Sequence, residues 1–183
     1  MLNRLFALIV LTILSPIFLI VALTIFIEDG LPIFFKQNRV GINYTFFNIY
    51  KFRSMKKNTP NVATHLLENP ASYLLRIGGG LRKLSLDELP NLINIIKGEM
   101  VFVGPRPALY NQADLMALRV AAGVDKLKPG ITGWAQINGR DEISILAKVA
   151  LEKEYLERRS VCFDLEIIMR TFTSVLSIKD VSH

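Results

Sequence analysis

The segment LSLDELPNLINIIKG, residues 84–98, combines a helical repeat with a cluster of charged side chains. Between residues 89 and 96 the apolar side chains recur at i, i+3, i+4 and i+7, which is the spacing of one buried helix face. Gly98 is a suitable terminator, because glycine readily adopts the left-handed conformation found at helix ends. The pattern predicts an amphipathic helix that packs into a core and ends near Gly98.

Two adjacent carboxylates, Asp87 and Glu88, lie at the start of this predicted helix. Ser85 and Glu88 have the spacing of a capping box, which predicts Ser85 at the N-cap, although Pro90 allows a start one or two residues later. Both acids could simply complement the helix dipole, a contribution of about 0.3–1 kcal/mol. Neighbouring helical residues point in different directions, so a chemical role would divide the pair into a nucleophile and a metal ligand.

Cations flank the acidic pair on both sides. Arg82 precedes it, and the run Gly104-Pro105-Arg106-Pro107 follows a predicted short strand at residues 100–103. The two prolines restrict the backbone around Arg106, so its guanidinium is held on a stiff arm. A planar, permanently charged fork suits phosphate oxygens. The pattern therefore predicts a site for phosphate chemistry that uses a divalent metal.

The distribution of charge points to an anionic partner. The chain has 183 residues, enough for one domain with a core, and a net charge of +6. Residues 30–67 contain no acidic side chain and six basic ones: Lys36, Arg39, Lys51, Arg53, Lys56 and Lys57. Such a block suits nucleic acid or anionic lipid, and the apolar segment that precedes it favours lipid. The single cysteine, Cys162, excludes an internal disulfide and a cysteine-based zinc site.

The N-terminal region contains a membrane segment. Residues 5–27 carry no charge, and as one helix they would extend roughly 35 Å, enough to cross a bilayer core of about 30 Å. No small-residue cleavage site follows, which argues against a signal peptide. Ser15-Pro16 near the middle predicts a kink, with Ser15 bonding a freed carbonyl. Either the chain returns to the face it entered from, or a kinked helix spans the bilayer. Basic residues on both flanks agree with a return.

The remaining patterns predict further elements. Residues 33–39 and 45–55 are predicted to form a β-hairpin, followed by a surface loop at 56–70 and a flexible glycine-rich segment at 78–80 that leads to the acidic pair. Helices are predicted at 111–121 and 143–158. An apolar stripe from residue 164 is predicted to pack on the core or to lie in the membrane interface. Lys51 and Arg53 share one face of the second strand, as phosphate ligands or as charges on an edge strand. Residues 128–140 have the composition of a ligand-binding wall.

In chain order these motifs resemble the monotopic phosphoglycosyl transferases, the bacterial sugar transferases that begin glycan assembly on a polyprenol carrier. The resemblance covers nearly the whole chain. It rests on the apolar segment broken at Ser15-Pro16, and on FKQNRVG (35–41), YKFRSM (50–55), SLDELP (85–90), GPRP (104–107) and residues 129–140.

The resemblance implies a mostly helical α+β fold with a small β-hairpin and interfacial amphipathic helices. Residues 1–29 would form a re-entrant membrane helix, broken at Ser15 and Pro16. Residues 30–183 would form a catalytic domain associated with the cytoplasmic face of the bacterial inner membrane.

The resemblance also implies a reaction. A sugar 1-phosphate would pass from a UDP-sugar to polyprenol (undecaprenyl) phosphate with release of UMP. Asp87 would attack the β-phosphate to form a covalent aspartyl-phosphosugar intermediate, and Glu88, paired with Asp87, would hold Mg²⁺. The phosphate-binding candidates are Arg106, Arg82, Arg140, Lys51 and Arg53, and the nucleotide- or sugar-binding candidates are Gln136, Asn138 and Trp134.

Some features leave alternatives open. The glycine run at 78–80 lacks a lysine that the family pattern has near Gly79, so the sugar is not identified. A membrane-bound nucleotide-sugar hydrolase would use the same acids, metal and arginines without polyprenol. A non-catalytic membrane scaffold would use the acids only as helix caps. Expected partners are the UDP-sugar, polyprenol phosphate, membrane lipid and a possible second copy of the chain, and not nucleic acid.

Overall fold

The computed structural model describes residues 1–60, 68–139 and 143–176. These residues form a mostly helical α+β fold, which confirms that part of the prediction. The helices are α1 (Leu2–Ile13), α2 (Ser15–Asp29), α3 (Gly78–Lys83), α4 (Asn91–Lys97), α5 (Ala113–Ala121), α6 (Trp134–Ile137), α7 (Ile145–Arg158) and α8 (Val161–Leu176). The strands are β1 (Phe34–Val40), β2 (Phe46–Phe52), β3 (Val101–Val103), β4 (Ala108–Leu109) and β5 (Gly130–Thr132).

The predicted β-hairpin is present. Strands β1 and β2 pair antiparallel from Phe34 opposite Phe52 to Val40 opposite Phe46, and the short β4 pairs with the other side of β1. Strands β3 and β5 form a separate parallel pair. Because β3 leads directly into Gly104, this pair fixes where the Gly-Pro-Arg-Pro run begins.

Helix α4 carries much of the core, in a register that differs from the predicted one. It ends at Gly98, which has a left-handed φ of 86° as predicted. The fully buried apolar residue is Ile95, which the predicted stripe left out, and it packs with Leu92, Ala7 of α1 and Phe47 of β2. The helix begins only at Asn91, so Leu89 lies before it, while Leu92 and Ile96 of the predicted stripe pack on this core.

The N-terminal apolar segment is broken where the sequence predicts. The axes of α1 and α2 differ by 64° across the break, and Pro16 lies in the first turn of α2. Ser15 Oγ donates to the Thr12 carbonyl at 2.8 Å, as expected beside a proline. Among the described residues no single helix is long and apolar enough to cross a bilayer, whereas the bent pair meets that test by length and composition.

Both halves of the broken helix pack on the same domain. Asn3 Oδ1 accepts a hydrogen bond from the Phe102 amide at 3.5 Å, and Asp29, at the end of α2, forms an ion pair with Arg53. Ile25 is buried against Phe52 and its neighbours. The outward side chains are apolar and exposed: Leu5, Leu8, Ile9, Ile13, Ile17, Leu19, Ile20, Leu23 and Ile27.

The glycine run at 78–80 is helical, which corrects the prediction of a flexible approach. It begins α3, and a Cβ on Gly78 would lie 2.1 Å from the Ser54 carbonyl oxygen. Nothing lies within 4 Å of the corresponding position on Gly79. Only the first glycine is therefore required by packing.

This difference predicts opposite effects for two alanine substitutions. Gly78→Ala should lower the free energy of unfolding by about 1–3 kcal/mol, because the new methyl group displaces the Ser54 backbone. The matched control, Gly79→Ala, should raise it by about 0.5–1 kcal/mol, since alanine favours a helix more than glycine does. Thermal unfolding of both variants in lipid nanodiscs measures this. Equal effects at the two positions would contradict the close approach of α3 to Ser54.

Helix α7 carries one exposed and one buried ion pair of note. Glu154 and Arg158 pair at i, i+4 along its exposed side. Glu152 is buried and pairs with Arg119 of α5. Helix α8 leaves an apolar stripe exposed, made of Val161, Leu165, Met169 and Phe172.

Candidate active site

The acidic pair lies in a tight turn that precedes α4, so the predicted capping box is wrong. Residues Leu86–Glu88 form one 3-10 turn. Ser85 has a left-handed φ of 54°, and its side chain makes no cap hydrogen bond. Helix α4 starts only after Pro90, which has no backbone N–H to donate. Neither carboxylate is thus in the first turn of α4, and the helix dipole does not account for the pair.

Asp87 is a buried carboxylate, with 9% of the residue exposed. Burial raises its pKa above the ordinary value, and the negative charge of Glu88 adds to the increase. The nearby cations Lys51 and Arg82 oppose the shift without cancelling it. Asp87 is therefore a carboxylate stripped of much of its water and surrounded by positive charge.

Glu88 has the opposite electrostatic character. Burial would raise its pKa, but the attraction of Lys51 and Arg106 outweighs burial and lowers it. Lys51 Nζ lies 2.6 Å and Arg106 Nη1 3.7 Å from the same oxygen, Glu88 Oε1. Neighbouring carboxyls whose pKa values move apart are suited to different tasks. The structure thus supports a division of roles within the pair.

The Gly-Pro-Arg-Pro arm is fixed along its backbone. The Gly104 amide donates to the Thr132 carbonyl at 2.9 Å, next to the β3–β5 pair. The carbonyls of Arg106 and Pro107 each accept a hydrogen bond at 3.0 Å, from Arg119 and Arg39 respectively. The Arg106 side chain remains 41% exposed. Its guanidinium is accessible while its backbone is held, as the flanking prolines predict.

A cleft opens between the hairpin, the acidic turn and this arm. Its lining residues are Arg39, Ile49, Lys51, Glu88, Asn91, Met100, Arg106, Pro107, Gly130 and Ile131. Three of them are cations whose charges converge on Glu88: Lys51, Arg106 and Arg39. A site with this charge is suited to polyphosphate.

Two lining residues with polar or charged side chains, Arg39 and Asn91, were not among the sequence-predicted site residues. Arg39 was noted only as part of the basic block. The register of the hairpin places Arg39 opposite Phe47 and Lys51 opposite Phe35, so the two cations share one face. Asn91 is a polar residue on a buried helix face, and no local signal marks it.

Two other predicted phosphate ligands have different surroundings. Arg82 is close enough to Asp87 for their charges to interact, and its Nε donates to Ser54 Oγ at 2.9 Å. Arg53, 6% exposed, pairs with Asp29 and donates to the Pro32 and Gly30 carbonyls at 2.7 Å. These bonds anchor the end of α2, and Arg53 is not among the residues that line the cleft.

Within the predicted ligand wall at 128–140, Gly130 and Ile131 line the cleft, whereas Trp134 makes its contacts inside the fold. Trp134 donates to Glu154 at 2.8 Å, packs against Phe163 and has Arg158 and Arg170 over its ring. These contacts occupy the indole, so it does not stand free to stack on a base.

The amide side chains of this segment also bond locally. Gln136 Nε2 donates to the Ile131 carbonyl at 3.0 Å, and Asn138 Nδ2 donates to the Trp134 carbonyl at 2.8 Å. Asn138 and Gly139 form a turn directly after the short helix α6. Arg140 lies outside the described residues.

Asp87 and Glu88 supply enough carboxylate ligands to hold Mg²⁺ together with water and substrate. No group of three or more metal-binding side chains occurs within residues 1–60, 68–139 and 143–176. Mg²⁺ is nevertheless commonly held by one or two carboxylates, with water and substrate phosphates completing its coordination. Asp87 and Glu88 supply two carboxylates beside a cationic cleft, so the residues present fit that mode of binding.

The chain is similar to bacterial glycan-assembly proteins along most of its length. A family model described as bacterial sugar transferase matches residues 1–178. The chain is 38% identical to the exopolysaccharide production protein ExoY of Sinorhizobium fredii, over 93% of this chain and 82% of that protein. It is 39% identical to the undecaprenyl-phosphate glucose phosphotransferase of Komagataeibacter xylinus, over 86% of this chain.

A third relative is the UDP-glucose:undecaprenyl-phosphate glucose-1-phosphate transferase of Escherichia coli, 38% identical over 90% of this chain. The chain spans 32% of the Komagataeibacter protein and 37% of the Escherichia protein. It therefore matches one region of these longer proteins.

Proposed function

The chain belongs to the bacterial sugar transferase family, and from this premise we propose that it transfers a sugar 1-phosphate from a UDP-sugar to undecaprenyl phosphate and releases UMP. The observation that carries the proposal is the buried Asp87 next to the cation-bound Glu88, which lines a cleft together with Lys51, Arg39 and Arg106. The names of two relatives, which specify undecaprenyl phosphate and glucose phosphate, support the substrate class.

The first step forms a bond to the protein. A carboxylate oxygen of Asp87 attacks the β-phosphorus of the UDP-sugar. The bond between that phosphorus and the bridging oxygen breaks, and the bridging oxygen leaves with UMP. The product is an acyl phosphate that carries the sugar on Asp87. Burial favours this attack, because a poorly hydrated carboxylate gives up less water when it reacts.

The second step regenerates the carboxylate. A phosphate oxygen of undecaprenyl phosphate attacks the same phosphorus, and the bond from phosphorus to the Asp87 oxygen breaks. The product is a lipid diphosphate sugar. Two displacements at one phosphorus balance the reaction without a net proton transfer.

The cations make the approach of two anions possible. A carboxylate and a diphosphate repel each other, so the charge that builds up around the phosphorus must be neutralised. Arg106 is the best-placed group, since its guanidinium is accessible and its backbone is fixed. Lys51 and Arg82 neutralise the acidic pair before substrate binds.

We also propose that Mg²⁺ is required. Glu88 would hold it through the carboxylate oxygen that neither Lys51 nor Arg106 contacts, with Asp87 next to it. When bound, the ion supplies positive charge to the phosphate oxygens.

The proposed setting is the cytoplasmic face of the inner membrane. Residues 1–29 would enter and leave the bilayer on that face, and residues 30–183 would form the catalytic domain. The contacts of Asn3 and Asp29 with one domain support a return of the chain, and the exposed apolar stripe of α8 supports an interfacial helix. The acceptor phosphate, at headgroup level, would then lie close to the basic hairpin.

This topology predicts that the N-terminus is inaccessible from the periplasm. Cys162 is exposed and is first replaced by serine, and Asn3, also exposed, is then changed to cysteine. In intact spheroplasts an impermeant thiol reagent should not label Asn3→Cys, and after permeabilisation it should. The Cys162→Ser parent controls for background. Labelling before permeabilisation would establish a span and contradict the re-entrant arrangement.

The reaction itself is tested by UMP release. Purified protein in nanodiscs is supplied with Mg²⁺, undecaprenyl phosphate and a panel of UDP-sugars. We expect UMP from at least one donor, at a rate that depends on the lipid acceptor and falls on chelation of Mg²⁺. Equal turnover without acceptor would indicate hydrolysis instead, and absence of UMP with every UDP-sugar would reject the donor class.

A further inference from the structure

Two buried asparagines on α4 differ sharply in their bonding. Asn94, with 0% exposure, accepts from the Tyr50 amide at 3.1 Å and donates to the Asn48 carbonyl and to Glu99, both at 2.7 Å. Asn91, with 1% exposure, has an Oδ1 atom with no hydrogen-bond partner in the described part of the chain. Asn94 joins α4 to β2, whereas Asn91 makes no comparable bond.

An unpaired buried acceptor requires a reason. Roughly 90% or more of buried polar groups in proteins are hydrogen-bonded, because leaving one unpaired is costly. An apolar residue at position 91 would avoid that cost. The position of Asn91 suggests what offsets this cost, because the residue lines the cleft together with Glu88, Lys51 and Arg106.

The chemistry of the amide oxygen restricts its ligand. Oδ1 can only accept, so it cannot pair with a phosphate oxygen, which is itself an acceptor. It needs a donor that lies beside the phosphates. A nucleotide sugar offers hydroxyl groups on both sides of its diphosphate, on the sugar and on the ribose.

We propose that Asn91 Oδ1 accepts a hydrogen bond from a hydroxyl group of the bound nucleotide sugar and thereby positions the donor against the acidic turn. This role rests on the proposed function, because it presumes a nucleotide-sugar ligand. It makes Asn91 a substrate-binding residue that helps select donors with a hydroxyl at this point. An analogue lacking the hydroxyl would leave the acceptor buried and unpaired.

The test compares Asn91→Leu with Asn94→Leu. Leucine has the branched shape of asparagine but no acceptor. Equilibrium binding is measured for UDP and for the tightest binder among UDP-glucose, UDP-galactose and UDP-N-acetylgalactosamine, with and without Mg²⁺, alongside thermal unfolding. Asn91→Ala, which adds no bulk, replaces Asn91→Leu if that variant does not fold.

Asn91→Leu should weaken UDP-sugar binding about tenfold, the usual effect of losing a bond to a buried group. Its unfolding temperature should equal or exceed that of the wild type, because an unpaired buried acceptor is removed. Asn94→Leu should lower the unfolding temperature, since it leaves the Tyr50 amide and the Asn48 carbonyl unpaired. If Asn91→Leu weakens binding of the UDP-sugar but not of UDP, the hydroxyl belongs to the sugar. If it weakens binding of both equally, the hydroxyl belongs to the ribose.

Three results would overturn the proposal. They are unaltered binding of both probes to Asn91→Leu, a fall in unfolding temperature like that of Asn94→Leu, and a binding loss seen only with Mg²⁺, which would make Asn91 a metal ligand. If the wild type binds none of the probes, the proposed function fails and this role fails with it. If the wild type binds the UDP-sugar and only Asn91→Leu binds it more weakly, the result bears on Asn91 and not on the proposed function.

Discussion

Asp87→Asn is expected to reduce transfer by about 10⁴-fold or more, the size of effect seen when a nucleophile is removed. The amide cannot form the acyl phosphate, and no other carboxylate on the acidic turn takes its place, because Glu88 is held by Lys51 and Arg106. UMP release in nanodiscs measures the loss. Retention of substantial activity would remove Asp87 as the nucleophile.

The same substitution should make the protein more stable, which separates lost chemistry from lost structure. Burial raises the pKa of Asp87, so its ionised form is disfavoured in the folded protein. At neutral pH the neutral amide removes that cost, and the unfolding temperature of Asp87→Asn in chelator should exceed that of the wild type. The difference should shrink as the pH falls through the raised pKa, because Asp87 is then neutral as well. A lower unfolding temperature at pH 7 would contradict this.

Arg106→Ala is expected to lower kcat/KM by about 10²-fold, comparable to the loss of one fixed donor to developing charge. Arg106→Lys should recover part of the activity, since lysine restores the charge but not the planar fork. The matched control is Arg158→Ala, which removes a half-exposed arginine bound to Glu154 outside the cleft.

Steady-state kinetics with the best UDP-sugar of the panel distinguish these variants. Arg158→Ala should retain the wild-type kcat/KM. An equal fall for both alanine variants would show that Arg106 acts through stability or net charge rather than through its place beside Glu88. Full recovery by Arg106→Lys would show that charge alone is needed.

The features that the sequence predicted well are local. Ser15-Pro16 breaks the apolar helix because proline acts on the turn that precedes it. The hairpin and the left-handed end of α4 at Gly98 follow from neighbouring residues in the same way. The stiffness around Arg106 also follows from its adjacent prolines.

The features that sequence reasoning missed depend on distant contacts. Arg53 and Arg39 are equivalent in a list of basic residues, but Arg53 is bound by Asp29, 24 positions away, and Arg39 by Pro107, 68 positions away. The capping-box pattern at Ser85 is also local, yet Ser85 adopts a left-handed conformation and α4 starts at Asn91. Asn91 itself could be recognised only from the structure, where its buried Oδ1 has no hydrogen-bond partner among the described residues.

The central claim is that Asp87 carries the phosphosugar, and trapping that intermediate tests it most directly. Wild-type protein, Asp87→Asn and Arg158→Ala are incubated with Mg²⁺ and a UDP-sugar labelled in the sugar, without lipid acceptor, and bound label is measured after denaturation. We expect label on the wild type and on Arg158→Ala, none on Asp87→Asn, release of UMP equal to the bound label, and transfer of the label to undecaprenyl phosphate when it is added. Normal turnover in the presence of acceptor with no protein-bound label in its absence would contradict the covalent route and indicate direct displacement.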